Sequence, residues 1–379
     1  MSVFARIAAN ARNLAKLAAR LRRRGFGRVA ILCLHMPAAI VLRAWRTLAS
    51  RVNDQVLQPA ITCRRFAAFV AGHPACGDLP RYYVIVMPHT LHFLLPCLAL
   101  VARELDIVLL LNGARDWEAE VLRRHWPQLP QFRMATLPGS SVSHGYAINM
   151  LLRCAEDRFG LLDHDLYVFD CSLLARLDPA ADELMVGVIG DTSADGRWSY
   201  PLTHLLMLNA GLLRDLIDRY GVGAESCRRP PLRVRRKLAE IGLREQEFLK
   251  DYHDFFDTLH VLLALGFAEG KRAARIETAS TEGIWHVGGT SIGTHHSKDL
   301  EQIYVGLRFV ERIADPAIAR RYARLFAPFA SAAQVRATLP MTPRTFQRVS
   351  IVDHVVRKLE AELAVVPFPD ASPRGGSAQ

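Results

Sequence analysis

The amino-acid sequence predicts an α/β protein with a mostly parallel central sheet and flanking helices. From residue 81 onwards, apolar runs of 5–7 residues alternate with helical stretches of 10–15 residues, which is the pattern of successive βαβ units. The runs are apolar along nearly their whole length, as in strands buried on both faces. With 50% hydrophobic and 22% charged residues, the composition excludes a disordered protein. The 379 residues suit one large domain with elaborations or two modest domains.

The first predicted strand covers residues 82–87 and ends at Pro88, and a helix is predicted over residues 91–105. A second strand over residues 106–112 precedes a helix over residues 117–126. These two units establish the alternation that predicts a parallel arrangement.

The third strand covers residues 131–137 and is followed by a helix over residues 144–160. Ligands of parallel sheets bind beyond the carboxyl ends of the strands. Polar residues at those positions, such as Asn112 and His144, are therefore candidates for a binding site.

The remaining elements are less regular. Residues 185–191 are predicted to form an apolar strand, and an apolar run within residues 203–216 leads into Asn209. An acid-rich helix is predicted over residues 245–267, and residues 284–293 are an apolar entry to a glycine-rich turn. Residues 299–363 are predicted to form a helical elaboration.

The net charge of +11 lies almost entirely at the N-terminus. Residues 1–60 contain eleven basic residues and one acidic residue, a net +10, which leaves +1 for the other 319 residues. A nearly neutral body excludes a broad basic groove that follows a phosphate backbone, so nucleic acid is not expected as a partner.

Residues 3–24 have the spacing of a basic amphipathic helix, and residues 29–42 are apolar but interrupted by His35 and Pro37. A spanning helix needs about 20 apolar residues, so this stretch is too short. Two interpretations are open: residues 1–50 contact the inner face of a membrane as a peripheral protein, or they pack on the domain as a helical hairpin. Seven cysteines without metal-ligand spacing favour a reducing, cytoplasmic location.

Three carboxylates lie close together in the apolar segment 159–174. Asp163 and Asp165 are two positions apart, and such carboxylates can converge on Mg²⁺ or Mn²⁺ if the chain turns there. Alternatively, these two are loop residues before the strand at residues 166–170. Asp170 would then be the strand-end residue that faces the site.

The order of these motifs resembles the glycosyltransferases of the GT-A fold over residues 80–300. That family has a nucleotide-binding α/β half ending in D-x-D, then an N-(A/S)-G segment, an acidic helix and, in some members, a metal-binding histidine beside glycine. The resemblance implies a GT-A-like catalytic domain over residues 80–300. We expect it to follow a basic helical arm (1–60) and to precede a helical elaboration (301–366) and a disordered tail (367–379).

The resemblance also implies roles for individual residues. The metal, Mn²⁺ or Mg²⁺, would be held by Asp163, Asp165 and His286, with Asp170 still open as the alternative acid. Residues implied to contact the nucleotide-sugar, its diphosphate or the acceptor are His144, Asn149, Asn209, Gly211, Gly288 and Gly289. If His286 is a ligand, its ring should lie within about 5–6 Å of one of the three carboxylates.

An inverting transfer needs a carboxylate near the acceptor hydroxyl as a general base. The acid-rich segment offers Asp251, Asp254 and Asp257 at intervals of three, and Glu247 is an equal candidate. The alternative for each is a place on an exposed acidic helix face.

The function that follows from the resemblance is metal-dependent transfer of a sugar from a nucleoside-diphosphate-sugar to the hydroxyl of a glycan or a lipid-linked acceptor, in glycan or cell-surface polysaccharide synthesis. Two alternatives are open: a nucleotidyltransferase, and a catalytically inactive, membrane-associated binding protein. The first strand ends in Pro-His-Thr rather than in the glycine-rich, basic phosphate loop that a nucleotidyltransferase would use.

Overall fold

The computed structural model describes residues 44–75, 77, 79–192, 196–227, 229–243, 256–277, 283–288, 290 and 300–365. Its centre is a seven-stranded sheet with the strand order β10-β6-β9-β4-β1-β2-β3. These strands are β1 (Arg81–Val86), β2 (Asp106–Leu111), β3 (Gln131–Arg133), β4 (Arg158–Leu162), β6 (Glu183–Gly187), β9 (Leu205–Asn209) and β10 (Arg272–Arg275). The predicted α/β class with a mostly parallel sheet is confirmed.

Strand β9 is the exception to the parallel arrangement. It pairs antiparallel with β4 on one side and with β6 on the other, whereas the remaining neighbours pair in parallel. Leu205 at the start of β9 is opposite Leu162 at the end of β4. The residue before β9, His204, is therefore brought beside the residue after β4, Asp163.

The strands alternate their side chains between two cores. Tyr82, Val84 and Val86 of β1 pack in the core on one face, and Tyr83 packs in the core on the other. Because both faces are covered, the strands are apolar along their length instead of alternating with polar residues.

Helices cover the faces of the sheet and extend beyond it. They are α1 (residues 44–72), α2 (Leu91–Val101), α3 (Asp116–His125), α4 (His144–Cys154), α5 (Ala210–Tyr220), α6 (Leu232–Glu240), α7 (His260–Ala268), α8 (Leu300–Ile313), α9 (Pro316–Phe326), α10 (Ala332–Arg336) and α11 (Pro343–Val365). The centre of α1, Asn53–Thr62, is π-helical. The last four helices lie in the segment for which the helical elaboration is predicted.

Two small sheets complete the fold. Strand β5 (Leu166–Val168) pairs antiparallel with β11 (Ile284–His286), and β7 (Gly190–Thr192) pairs with β8 (Ser199–Pro201). The first of these pairs brings a late segment of the chain back to the carboxyl end of β4.

Two sequence-based boundaries are corrected. The predicted third strand, residues 131–137, is only three residues long. The predicted helix over residues 144–160 ends at Cys154, because the chain from Arg158 pairs with β1 and β9 as the central strand β4. A strand of the main sheet therefore does precede Asp163.

Helix α1 runs through the predicted boundary of the arm at residue 60 and docks on the domain. Asn53 donates to the Ser140 hydroxyl at 2.9 Å, and Gln58 donates to the Tyr146 carbonyl at 3.0 Å. Over residues 44–60 the arm thus packs on the domain, whereas residues 1–43 and the predicted tail lie outside the described residues. Among the helices described, none has both the length and the apolar character to cross a membrane.

Candidate active site

A cavity of about 380 Å³ opens at the carboxyl ends of β1, β2 and β4, where ligands of parallel sheets bind. Its volume lies within the range of small-molecule sites, roughly 300–1,000 Å³. The polar residues that line it are Ser50, Asn112, Ser141, Ser143, His144, Asp163, His164, Asp165, Thr203, His204, Asp257, Thr258, His260 and His286.

Asp163 follows β4 directly and is held by His204 through two contacts. The Asp163 N–H donates to the His204 carbonyl at 2.8 Å, and His204 Nδ1 lies 2.7 Å from Asp163 Oδ2. The rings of His204 and His286 lie 3.8 Å apart between centroids, with their planes tilted by 31°. His286 Nε2 lies 3.8 Å from the same Oδ2 atom, so this oxygen faces two imidazoles.

Asp165 is buried, and each of its carboxylate oxygens has a separate neighbour. Oδ1 lies 3.3 Å from His286 Nε2, while Oδ2 accepts a 2.8 Å hydrogen bond from the Thr290 hydroxyl. The same hydroxyl lies 2.8 Å from His164 Nε2. Burial alone would raise the pKa of Asp165, but His164, His286 and Thr290 outweigh it and hold that pKa well below its usual range.

The pairing of β5 with β11 explains how His286 reaches the acids. In this pair His286 is opposite Leu166, the residue after Asp165, and the Val287 N–H donates to the Asp165 carbonyl at 3.1 Å. The predicted proximity of the His286 ring to an acid is confirmed, since the distance to Asp165 is 3.3 Å.

Three of these residues form a group that could hold a metal ion. The ligand atoms of Asp163, His204 and His286 all lie within 4.8 Å of one another. A carboxylate oxygen with imidazole nitrogens is a donor set suited to first-row divalent metals. The group sits at the polar end of the cavity.

Asp170 lies at the opposite end of β5 from Asp165 and does not line the cavity. It is exposed and caps the short 3₁₀ helix Cys171–Arg176, accepting a hydrogen bond from the Ser172 N–H at 3.0 Å. This contact lowers the pKa of Asp170. Of the alternatives left open by the sequence, the geometry favours Asp163 and Asp165.

His144 is the first residue of α4 and lines the cavity. Burial lowers the pKa of His144 and so favours its neutral form. Asn149 lies on the same helix but outside the cavity lining: its amide donates to Glu225 at 2.6 Å and accepts from the Ala224 N–H at 2.7 Å. The structure thus places Asn149 in a helix-to-loop contact.

Asn209 and Gly211 lie beside the amino end of β4, whereas the cavity lies at its carboxyl end. Because β9 is antiparallel to β4, its carboxyl end is beside Arg158 at the start of β4. The Asn209 side chain caps α5 there by accepting from the Leu212 N–H at 3.4 Å. Asn209 and Gly211 match the N-(A/S)-G segment in sequence, but neither residue lines the cavity.

The two predicted glycines follow His286. Gly288 has a φ of +73°, a conformation that glycine adopts without strain, and its carbonyl accepts from Gln302 at 3.0 Å. Gly289 lies outside the described residues, as do the three candidate bases Glu247, Asp251 and Asp254.

Asp257 is the described member of the acidic series, and it lines the cavity. It lies in a turn before α7, where its carboxylate accepts from the Thr258 N–H at 2.8 Å. The predicted helix over residues 245–267 is therefore helical, within the described residues, only from His260 to Ala268.

Sequence reasoning missed His204, His164 and Thr290. His204 stands directly before an apolar run, which marks it as a strand-start residue. In a parallel strand that position lies away from the site, and only the antiparallel direction of β9 reverses this. Thr290 reaches Asp165 across 125 positions of sequence, and no local pattern signals such a contact.

Residues 58–213 match the family model described as the StrH glycosyltransferase N-terminal domain. No curated protein matches the chain in sequence. The predicted resemblance to glycosyltransferases is confirmed by the family match.

Among solved structures, the chain is similar to GlyE of Streptococcus pneumoniae TIGR4 at 14% identity, with a TM-score of 0.32 over 52% of this chain and 46% of GlyE. It is similar to S. aureus TarS 1–349 in complex with UDP-GlcNAc at 13% identity, with a TM-score of 0.31 over 75% and 88% of the two chains. An active-site mutant of LgtC matches at 11% identity, with a TM-score of 0.34 over 71% and 99%.

The chain spans about half the length of GlyE and of WbbM, a bifunctional glycosyltransferase. The chain has an α/β fold with a mostly parallel central sheet, and over residues 58–213 it is similar to the N-terminal domain of the StrH glycosyltransferases.

Proposed function

We propose that this protein transfers a sugar from a nucleoside-diphosphate-sugar to an acceptor hydroxyl. The observation that carries the proposal is the convergence of Asp163, Asp165, His204 and His286 at the carboxyl end of β4. The two acids, Asp163 and Asp165, lie within the region that matches a glycosyltransferase family. A nucleotide-sugar presents a diphosphate to such a group, and the cavity has a suitable volume.

A divalent metal, Mn²⁺ or Mg²⁺, fits the residues present. We propose Asp163, Asp165 and His286 as its ligands, and we add His204, because its ligand atom lies within 4.8 Å of those of Asp163 and His286. The two imidazoles favour Mn²⁺, since Mg²⁺ prefers oxygen ligands in nearly ideal octahedral geometry. When bound, the metal would neutralise charge that develops on the departing diphosphate.

The other walls of the cavity suit the rest of the donor. The N-terminus of α4, with Ser143 and His144, lies beside the acidic group, and helix N-termini favour anions. Gly288 lies close to His286, since a Cβ there would be 3.6 Å from the imidazole ring. We assign these residues to the binding of the diphosphate and the sugar.

We propose that the acidic segment supplies the general base for an inverting transfer. Asp257 is its described member and has direct access to the cavity. Asp251, Asp254 and Glu247, which lie 3 to 10 positions earlier in sequence, remain candidates on the family pattern. A general base must lie within hydrogen-bond distance of the acceptor hydroxyl. Replacing each acid in turn by its amide tests which of them acts as the base.

The acceptor and the location complete the proposal. We propose a glycan or a lipid-linked acceptor, and peripheral association with the cytoplasmic face of a membrane through residues 1–50. The supporting observation is the concentration of basic residues in that segment, which suits an anionic lipid surface.

Thermal unfolding with ligands tests the central proposal. UDP-, GDP- and CDP-sugars are added with Mn²⁺, with Mg²⁺ or with EDTA. One nucleotide class should stabilise the protein only with a metal, and a ligand at about 100 times its Kd adds about 2.7 kcal/mol. The variant Asp170→Asn is the matched control and should respond like the wild type.

Two outcomes would contradict the proposal. Stabilisation by a nucleoside triphosphate, with pyrophosphate release in the presence of a sugar phosphate, would indicate a nucleotidyltransferase. Absence of stabilisation by every nucleotide-sugar, with or without metal, would indicate a binding protein without this activity.

A further inference from the structure

The first part of helix α1, residues 44–62, buries several polar side chains against the domain and exposes several apolar ones, whereas Phe66 in its last part is buried in the core. Asn53, Asp54, Gln58 and Thr62 are buried against the domain. The exposed large apolar residues of the same helix are Trp45, Leu48, Val56 and Ile61. A helix that packs on a single domain in water normally has the opposite arrangement. This inversion indicates that the outer face of α1 has a partner other than water.

The buried polar side fixes the orientation of the helix. Asp54 accepts from the Ser143 N–H at 2.7 Å and from the Ser143 hydroxyl at 2.5 Å. Asn53 accepts from the Leu137 N–H at 2.8 Å and donates to the Ser141 carbonyl at 3.1 Å. Rotating α1 to bury its apolar face would break these bonds and leave buried polar groups unpaired, which is unfavourable.

The charges on the outer face have one sign. The exposed charged residues of α1 are Arg46, Arg51, Arg64 and Arg65, and the single acid of residues 44–72 is the buried Asp54. The chain before the helix, residues 1–43, adds nine basic and no acidic residues in sequence. A face that combines apolar side chains with arginines alone is complementary to the phosphates and acyl chains of an anionic bilayer.

We propose that the outer face of α1, defined by Leu48, Val56, Ile61 and the four arginines, docks on an anionic lipid surface. The apolar side chains enter the boundary between headgroups and acyl chains, and the arginines contact lipid phosphates. Basic residues near such a surface are attracted to it by its negative potential. The described helix, and not the preceding arm alone, is then the membrane contact.

The inner side of the same helix forms part of the cavity wall. Ser50 lines the cavity, and its hydroxyl lies 3.4 Å from that of Ser143. A helix whose outer face rests on lipid would hold the cavity next to the bilayer, within reach of an acceptor hydroxyl on a lipid-linked substrate. This assignment of the acceptor class rests on the proposed sugar transfer, whereas the lipid docking does not.

Vesicle co-sedimentation of the full chain tests the surface. Vesicles of phosphatidylethanolamine with phosphatidylglycerol are compared with vesicles of phosphatidylcholine, for wild type and for the double variant Leu48→Glu/Val56→Glu. These two residues are 58% and 53% exposed, so the domain should fold normally. We expect binding to anionic vesicles only, decreasing with salt, and about tenfold weaker in the variant.

The matched control carries the same substitution at two exposed apolar residues outside α1. Met341 and Phe346 are 63% and 59% exposed, and Met341→Glu/Phe346→Glu should bind vesicles like the wild type. A second test variant, Arg46→Gln/Arg51→Gln/Arg64→Gln/Arg65→Gln, keeps the apolar residues and should also lose affinity. Equal binding by wild type and both α1 variants would overturn the proposal, as would an equal loss in the control.

A second copy of the chain is the competing occupant of this face. If the wild type is a dimer that Leu48→Glu/Val56→Glu converts to monomers, and neither form binds vesicles, the face is a protein interface and the lipid proposal is wrong. Metal-dependent stabilisation by a nucleotide-sugar, measured on the same variant, should match the wild type. A failure of that measurement would count against the proposed sugar transfer and not against the docking surface.

Discussion

The Thr290 hydroxyl donates a 2.8 Å hydrogen bond to Asp165 Oδ2 and thereby determines which oxygen of this buried carboxylate faces His286. Both residues are buried, and His164 lies 2.8 Å from the same hydroxyl. In metal sites, partners of this kind orient the ligands and raise affinity. The contact links a residue after β11 to a residue after β4, so it also joins the two halves of the site.

Replacing Thr290 by valine should weaken metal binding without unfolding the protein. Valine keeps the side-chain volume of Thr290 but leaves Asp165 Oδ2 without its hydrogen-bond donor. Loss of such a partner weakens metal binding by roughly 10–100-fold. Titration calorimetry with Mn²⁺ measures the change. Thr290→Ser retains the hydroxyl and should restore affinity; equal affinity in wild type and valine variant would contradict the orienting role.

Asparagine at the two cavity acids should abolish sugar transfer. Asp163→Asn and Asp165→Asn each remove a ligand charge, and charge stabilisation by a metal is worth several kcal/mol, which corresponds to a loss of about 100-fold or more. Initial rates of nucleoside-diphosphate release measure the effect. Asp170→Asn changes an exposed helix cap and should remain active, so an inactive Asp170→Asn with active cavity variants would refute this assignment.

The two adjacent histidines should affect metal binding more than folding. His286→Ala and His204→Ala each remove an imidazole from the group of three ligands, and we expect a loss of about tenfold or more in Mn²⁺ affinity. Melting temperatures in EDTA should stay close to that of the wild type. A His204 variant with unchanged Mn²⁺ affinity would restrict the metal set to the residues predicted from sequence.

Acid should destabilise the helical elaboration through Asp315. This buried residue caps α9 by accepting from the Ala317 N–H at 2.7 Å and lies 3.0 Å from His125 Nε2. Burial would raise its pKa, but the contacts with His125 and with the helix N-terminus outweigh burial and hold the pKa below its usual range. The stabilisation is therefore complete above the unfolded pKa of about 3.9 and is lost as the pH falls through the lower folded value.

Substitution separates the capping and charge contributions of Asp315. Asp315→Ala should lower the free energy of unfolding at neutral pH by about 1–2 kcal/mol, the cost of a lost cap. Asp315→Asn retains a capping oxygen, and its stability should depend less on pH between about 2 and 5 than that of the wild type. Chemical denaturation at several pH values provides the measurement, and parallel pH profiles for wild type and Asp315→Asn would contradict the linkage.

Much of the fold could be read from local patterns. The first two strands and their helices were predicted within a few residues because continuous apolar runs and helical periodicity are local signals. Strand β4 was missed because its residues 158–162 continue the predicted helix without a break, while the more β-rich run at 166–170 attracted the assignment. Only pairing with β1 and β9 makes the former the central strand, and this pairing also favours Asp163 and Asp165 over Asp170.

By itself the sequence determined the α/β class, the concentration of the net positive charge in the N-terminal segment, and the resemblance to glycosyltransferases. It also supplied a candidate set containing Asp163, Asp165 and His286. These follow from composition, periodicity and motif order, which are properties of the linear chain. The tertiary structure alone decided that His204 joins the site while Asn209 does not, because the antiparallel direction of β9 exchanges the ends of that strand. It also turned the polar side of α1 inward, since the loop before α4 and the first turn of α4, over residues 135–146, supply partners that water would otherwise provide. Such contacts join residues that are distant in sequence, and their energies depend on neighbours that no local pattern specifies.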